Sequence, residues 1–257
     1  MTSLKLLRFF SIATALALLV VAAGLYFRLS WATAPWPWPA GRLTFLFLSS
    51  IAAAIAVPFL WVAVAEEWGA MRGSGIFPLV TSAGAAMFLL QQRAVDAALG
   101  RLGMMAAIGA LFSVLMIFIG RRFDLRDGRR QPALVRVSFA IFAVVLILAG
   151  GALVLGRANV MPWPMNREGG VISGWIFLGA STGYLYGFAF PAWHNARGPL
   201  LGFLVYDLVL LPSLLGHFQN VKPEHRLSLM VYVVVLNYSA SLAVYQLFLA
   251  KVTRSWS

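Results

Sequence analysis

The sequence predicts an all-α integral membrane protein with eight transmembrane helices, arranged as two parallel repeats of four helices. Three observations support this prediction. Hydrophobic residues make up 61% of the 257 residues and charged residues only 11%, whereas about a quarter of the residues in soluble proteins are charged. The apolar residues fall into eight long segments separated by short polar ones, and a segment rich in Trp and Pro occurs twice.

The eight apolar segments match the thickness of a bilayer, with one exception. About 20 apolar helical residues cross the hydrocarbon core. The predicted segments are 9–27, 43–65, 76–90, 102–120, 135–156, 171–193, 199–215 and 227–250. The third segment is short, so it must continue through Gln91 and Gln92 or thin the bilayer locally. The first segment follows Lys5 and Arg8, and its length favours a retained helix over a cleaved signal peptide, whose apolar core is usually about 7–15 residues.

The Trp/Pro segment recurs at an offset of 125 residues, which predicts an internal repeat. Pro35-Trp36-Pro37-Trp38-Pro39 with Arg42 is followed later by Pro162-Trp163-Pro164 with Arg167. The same offset pairs Trp68, Arg72 and Gly73 with Trp193, Arg197 and Gly198. We therefore predict one four-helix repeat at 1–127 and a second at 128–257, related by an axis along the membrane normal. The alternative is that Trp, Pro and Arg cluster at every membrane interface.

Arginine placement predicts the orientation. The loop 121–136 carries six arginines, opposed only by Asp124 and Asp127. Loops rich in Lys and Arg stay on the cytoplasmic side, so this loop and both chain termini are predicted to be cytoplasmic in a bacterial inner membrane. The net charge of +12 is spread over short loops, which indicates anionic lipid head groups at that face as partners and not nucleic acid.

The sequence argues against several kinds of chemistry. It contains no cysteine, which excludes disulfides, iron–sulfur clusters and thiolate metal sites. It also lacks a phosphate-binding Gly-rich loop, a His-Glu-x-x-His pair and a dinucleotide fingerprint. His194, His217 and His225 fall at predicted segment ends, in loops. We therefore predict no metal site and no cofactor.

A group of polar residues in the second half is predicted to lie near the middle of the bilayer. At 1.5 Å per helical residue, Asp207 lies about 12 Å from the inner end of its helix. The predicted midplane site consists of Asp207, Asn237, Tyr238, Tyr206, Ser181 and Thr182. We expect the Asp207 carboxyl group to reach Asn237 or Tyr238. It could mark a substrate or proton site, or it could hold two helices together by hydrogen bonds.

Two further groups of residues have both a structural and a functional interpretation. Glu66 and Glu67 close the second helix, either as a solvated carboxylate pair or as a proton entry point or catalytic acid. Gly179, Gly183 and Gly187 are spaced by four residues, which gives a smooth helix face for close packing. That face could be used within the chain or by a protein partner.

The run from Trp36 to Thr44 resembles the Trp-Pro-Trp-Pro hairpin and following helix of certain bacterial multi-pass membrane proteins. This resemblance implies membrane localisation and brings no activity or site. The sequence favours a small carrier or lipid-binding protein that works through the midplane site. The alternatives are an intramembrane enzyme acting on an isoprenoid or other lipid, with Asp207 as general acid, and an accessory subunit of a larger membrane complex.

Overall fold

The computed structural model describes residues 2–250, with side chains from residue 4, and in that part of the chain the elements are all helices joined by loops, without a strand. The helices are α1 (Thr2–Tyr26), α2 (Ser30–Thr33), α3 (Arg42–Ala65), α4 (Met71–Gln91), α5 (Ala97–Gly120), α6 (Ala133–Val154), α7 (Arg167–Ala189), α8 (Trp193–His217) and α9 (Pro223–Val244). A 3₁₀ turn at Trp68–Ala70 leads into α4, and a π-helical turn at Tyr245–Leu249 follows α9. The tail 251–257, predicted to be cytoplasmic, lies outside the described residues.

The prediction of an all-α, multi-pass membrane protein is confirmed at this level. Seven helices are long and apolar enough to cross a bilayer, namely α1, α3, α4, α5, α6, α8 and α9. The remaining long helix, α7, has 23 residues but a more polar composition. Several of its small residues face other helices, since Gly174, Ser181 and Gly187 are all buried.

Two of the differences from the predicted helix boundaries have a clear physical reason. The third span runs over Trp68–Gln91, which is 24 residues and not the 15 of segment 76–90, because Gly73 and Gly75 continue the helix. It therefore needs no local thinning of the bilayer. The predicted segment 171–193 runs through Pro191, whereas the structure ends α7 at Ala189 and starts α8 at Trp193. Proline lacks a backbone N–H and disfavours helical conformation in the residue before it.

The long helices pack in the same way in both halves of the chain. In the first half α1 packs on α3 and α4 packs on α5; in the second half α6 packs on α7 and α8 packs on α9. Between the halves, α3 packs on α8 and α4 packs on α7. If α1, α3, α4 and α5 are matched in order with α6, α7, α8 and α9, each of these helix contacts corresponds to another of them.

Close approach between helices occurs at glycines of α7. A Cβ atom added at Gly174 would lie 2.7 Å from the carbonyl oxygen of Gly150 in α6, and one added at Gly179 would lie 2.7 Å from that of Phe77 in α4. A Cβ at Gly187 would lie 2.7 Å from the ring of Phe139 in α6. The glycines at 179 and 187 are thus covered by helices of the same chain.

The ends of the helices define two faces of the bundle. One, here called the hairpin face, carries both Trp/Pro segments, and the ring of Trp36 approaches Gly169 at the start of α7. The opposite, arginine face carries the loop 121–132, where the backbone N–H of Trp193 donates to the carbonyl oxygen of Arg129 at 2.7 Å. Both Trp/Pro segments therefore share one face. Trp38 and Trp163 each lie four residues before a helix that begins with arginine.

Candidate functional site

Asp207 is buried in α8, with 1% of its surface exposed. Its Oδ2 accepts a hydrogen bond from Ser239 Oγ of α9 at 2.7 Å. Its Oδ1 has no hydrogen-bond partner among the described residues. The carboxyl group thus points at α9, as expected, but its partner is Ser239 and not Asn237 or Tyr238.

Asn237 and Tyr238 face away from Asp207. Both side chains are exposed, and Asn237 Nδ2 donates to the carbonyl oxygen of Val233 in its own helix at 2.8 Å. The Tyr238 hydroxyl shares a hydrogen bond with Ser138 Oγ of α6 at 2.7 Å. Tyr238 therefore connects α9 with α6 and does not contribute to a polar centre at Asp207.

The other three midplane residues form hydrogen bonds that do not involve Asp207. Ser181 donates to the carbonyl oxygen of Leu178, and Thr182 donates to that of Gly179, each at 2.6 Å. Short hydroxyl side chains in helices often bond to their own backbone in this way. The hydroxyl groups of Tyr206 and Tyr232 form a short hydrogen bond with each other. Among the described residues, the six predicted side chains are not joined into one hydrogen-bonded site.

Substitutions at Asp207 should have small effects on stability. Asp207→Asn should leave the thermal unfolding temperature in detergent nearly unchanged. Asp207→Leu should cost less than about 1 kcal/mol, because interhelical hydrogen bonds in membranes average about 0.6 kcal/mol. Ser239 Oγ also keeps a second acceptor, the carbonyl oxygen of Leu236 at 3.1 Å. A large loss of stability in the Leu variant would show that the carboxyl group is a structural requirement.

The structure contains an elongated apolar cavity of about 450 Å³, lined by α3, α4 and α6 to α9. Its wall includes Ile51, Phe77, Ala180, Phe203, Tyr232 and Val235. It extends from Ser74 and Gly198 near the arginine face to Val160 and Ser228 near the hairpin face. Of the predicted midplane residues, Tyr206 lines this cavity. The cavity therefore extends along the bundle and passes the Tyr206–Tyr232 pair.

The cavity is open sideways between α6 and α9. Val145 of α6 and Val231 of α9 both line it, yet 37% and 53% of their surfaces are exposed. These two helices do not pack closely on each other. They meet nearer the arginine face, where Tyr238 contacts Ser138 and the ring of Phe142. The surrounding bilayer can thus reach the cavity between the two helices.

Glu66 and Glu67 occupy different environments at the arginine face. Glu66 adopts a left-handed backbone conformation with φ of 55°, and its exposed carboxylate lies 3.3 Å from Arg8 and 3.5 Å from Arg126. The turn at Glu66 directs Glu67 inward, where 8% of Glu67 is exposed. Its Oε2 has no hydrogen-bond partner in the described part of the chain. The two glutamates therefore do not act as a pair: Glu66 forms surface ion pairs, and Glu67 is a buried acid.

His194 lies in the first turn of α8 with 1% of its surface exposed, and not in a loop as the sequence predicted. Its Nδ1 is 2.9 Å from the carbonyl oxygen of Asp127. Since a carbonyl group only accepts, Nδ1 carries the proton and Nε2 of the neutral ring is an acceptor. Nε2 has no partner among residues 4–250. Sequence reasoning missed this buried histidine because it extended α7 through Pro191.

The Asp127 carboxylate is engaged by a neighbouring arginine. Arg129 donates to it at 2.6 and 2.8 Å, which lowers the pKa of Asp127. No three His, Asp or Glu side chains of the described residues are placed to hold a metal ion. Glu67 and His194 thus supply a buried acid and a buried base at the arginine face, near the end of the cavity at Gly198.

Glu67 should give the protein a specific pH dependence. Burial raises the pKa of Glu67 above its ordinary value of 4.5, and the charge of Asp127 adds to the rise, although Arg126 and Arg197 oppose it. Above pH 4.5 Glu67 ionises in the unfolded state, while in the folded state it keeps its proton up to the raised pKa. The free energy of unfolding therefore falls as the pH rises from 4.5 to the raised pKa and is constant above it. The fall is about 1.4 kcal/mol for each unit of pKa difference. In thermal unfolding scans Glu67→Gln should lack this fall, and the exposed control Glu66→Gln should retain it. Parallel pH profiles for the two variants would contradict the assignment.

The fold and the cavity together define the class of protein, a multi-pass helical membrane protein. Comparison with known proteins adds no narrower identity, because no protein family, curated protein or solved structure matches the chain.

Proposed function

We propose that the protein binds a lipid of the bacterial inner membrane by holding an apolar chain in the cavity between its two halves. The cavity carries this proposal. Its volume of about 450 Å³ is within the range of small-molecule sites, about 300–1,000 Å³. Apolar cavities do not hold ordered water, and this one opens to the bilayer, which supplies acyl and isoprenoid chains. The polar contact is the Tyr206–Tyr232 pair.

The proposed topology has eight spans in two parallel repeats, 1–127 and 128–257. The packing pattern supports a repeat, because exchanging the halves preserves it. The helix starts support it too, since α3 and α7 begin at Arg42 and Arg167, 125 residues apart. As an eighth span, α7 would extend about 34 Å, enough to cross the hydrocarbon core. The arginines of loop 121–136 favour a cytoplasmic arginine face.

A carrier fits this architecture because the cavity extends from near one face to near the other. The two halves contact each other mainly through two equivalent helix pairs, α3 with α8 and α4 with α7. Rocking of one half against the other about these contacts would expose the ends of the cavity in turn. In this form of the proposal the protein moves a lipid between the two leaflets.

The buried acid and base favour a second candidate, an intramembrane enzyme acting on an isoprenoid or other lipid. A lipid chain in the cavity would place its head group near Ser74 and Gly198, close to His194 along α8. There Glu67 would donate a proton and His194 Nε2 would accept one. Glu67→Gln and His194→Gln would then retain lipid but lose turnover, whereas a binding protein would be indifferent to both.

Native mass spectrometry after purification in mild detergent tests the proposal. We expect one amphiphile to remain bound per chain, and its removal by a harsher detergent to lower the thermal unfolding temperature. Several loosely bound lipids in variable number, lost without any change in stability, would contradict the proposal. A co-purifying protein in place of a lipid would favour an accessory subunit.

A further inference from the structure

We propose a second lipid site, specific for the phosphate head group of an anionic phospholipid, in a cleft at the arginine face. The cleft has a volume of about 740 Å³ and lies beside α4, between α5 and α7. Three arginines line it, Arg72, Arg121 and Arg130, together with Tyr186 and Asn195. No residue that lines the apolar cavity also lines this cleft.

The charge of the cleft selects an anion. No carboxylate is among its lining residues. Arg121 and Arg130 are exposed, and in the described part of the chain neither forms an ion pair. Arg72 is fixed, because its guanidinium donates to the carbonyl oxygens of Gly120 and Phe123 at 2.9 Å each. Two exposed arginines without an ion pair and one fixed arginine therefore surround an opening that has no carboxylate among its lining residues.

The floor of the cleft selects a lipid over a soluble anion. Ile76 and Ile117 line its deeper part, one helical turn further into the bundle than Arg72 and Arg121. The helices α5 and α7 both pack on α4 but not closely on each other, which leaves a groove along α4 for an acyl chain. Basic pockets between helices at the cytoplasmic face are typical sites for anionic head groups.

The cleft and the cavity lie on different faces of α4. Arg72 and Ile76 line the cleft, whereas Gly73 and Phe77 line the cavity. Each pair is separated by four residues, so each forms one stripe of the helix. A lipid in the cleft would therefore press on the helix that forms one wall of the cavity.

The test compares the double variant Arg121→Gln/Arg130→Gln with wild type in nanodiscs of phosphatidylcholine containing increasing phosphatidylglycerol. We expect each of the two cleft arginines to contribute about 1 kcal/mol toward an anionic head group held in the cleft. The double variant should therefore need roughly thirty times more phosphatidylglycerol for the same rise in thermal unfolding temperature. The matched control is Arg122→Gln, which removes an exposed arginine of the same loop that does not line the cleft. It should behave like wild type.

Two results would overturn this proposal. One is an equal response to phosphatidylglycerol in the double variant and wild type. The other is a full stabilising effect from inorganic phosphate in pure phosphatidylcholine, which would make the cleft a soluble-anion site. Retention of the amphiphile in the cavity should be unchanged in the double variant. A failure of the cleft proposal can therefore be distinguished from a failure of the function proposed above.

Discussion

Gly183→Phe should abolish retention of the cavity lipid and leave the fold intact. Gly183 lines the cavity from α7. A Cβ atom added there would have its nearest neighbour, Phe77 Cβ, at 3.7 Å, an ordinary van der Waals distance. The aromatic ring would therefore extend into the cavity without displacing a helix. It would occupy the space of the lipid chain, and in native mass spectra the bound amphiphile should disappear.

The matched control for this variant is Gly151→Phe. Gly151 is also a helical glycine, and no atom lies within 4 Å of an added Cβ. It does not line the cavity. This variant gains the same side chain on α6 and should retain the amphiphile at the wild-type level. Full retention in both variants would mean that the lipid binds elsewhere.

Gly174→Leu should cause a large loss of stability. A Cβ atom at Gly174 would lie 2.7 Å from the carbonyl oxygen of Gly150 and 2.9 Å from the backbone nitrogen of Val154. Backbone atoms cannot rotate away, so α6 and α7 would have to separate. Overpacking usually costs about 1–3 kcal/mol, and we expect at least the upper part of this range here.

The measurement is thermal unfolding in detergent together with the yield of monodisperse protein. Gly151→Leu adds the same side chain to open space on α6 and should match wild type. Gly174→Ala tests the Cβ alone and should be intermediate, because even that atom is too close to Gly150. Wild-type stability in Gly174→Leu would show that the two helices do not cross at this point.

Helix positions were largely predictable from the sequence because apolar length and breaker residues determine them. The matching positions Trp68 and Trp193 mark the starts of the 3₁₀ turn that leads into α4 and of α8. The helix α4 starts before the predicted segment 76–90 because Gly73 and Gly75 lie within it, where glycine allows close contact, as at Gly75 against Ile117. The predicted segment 171–193 ran through Pro191, although α7 ends at Ala189 and α8 starts at Trp193. For this reason His194 was wrongly predicted to lie in a loop.

The candidate site was harder to predict because depth in the bilayer does not fix direction around a helix. Asn237 lies near the same depth as Ser239, but a separation of two residues turns the side chain by about 200°. Ser239 therefore reaches Asp207, while Asn237 points away from it. The left-handed conformation of Glu66, which separates it from Glu67, has no signature in the residues themselves, since glutamate rarely adopts it.

The cavity has no local sequence signal at all. It arises from space left between six helices, and its lining residues, such as Ala180 and Phe203, are typical of any apolar helix. Only the relative placement of the helices shows that Val145 and Val231 face an opening and not a packed neighbour. The same holds for the basic cleft, where Arg72 and Arg130 come together from distant parts of the chain.

The most direct test of the central claim, that an apolar chain occupies the cavity, is photo-crosslinking in membranes with a phospholipid that carries a diazirine in its acyl chain. After illumination, peptide mass spectrometry locates the adducts. We predict adducts on the cavity residues Phe203 and Tyr232, and their loss in Gly183→Phe. Adducts confined to residues of the outer surface, such as Leu111 and Leu148, which are 69% and 68% exposed, would contradict it.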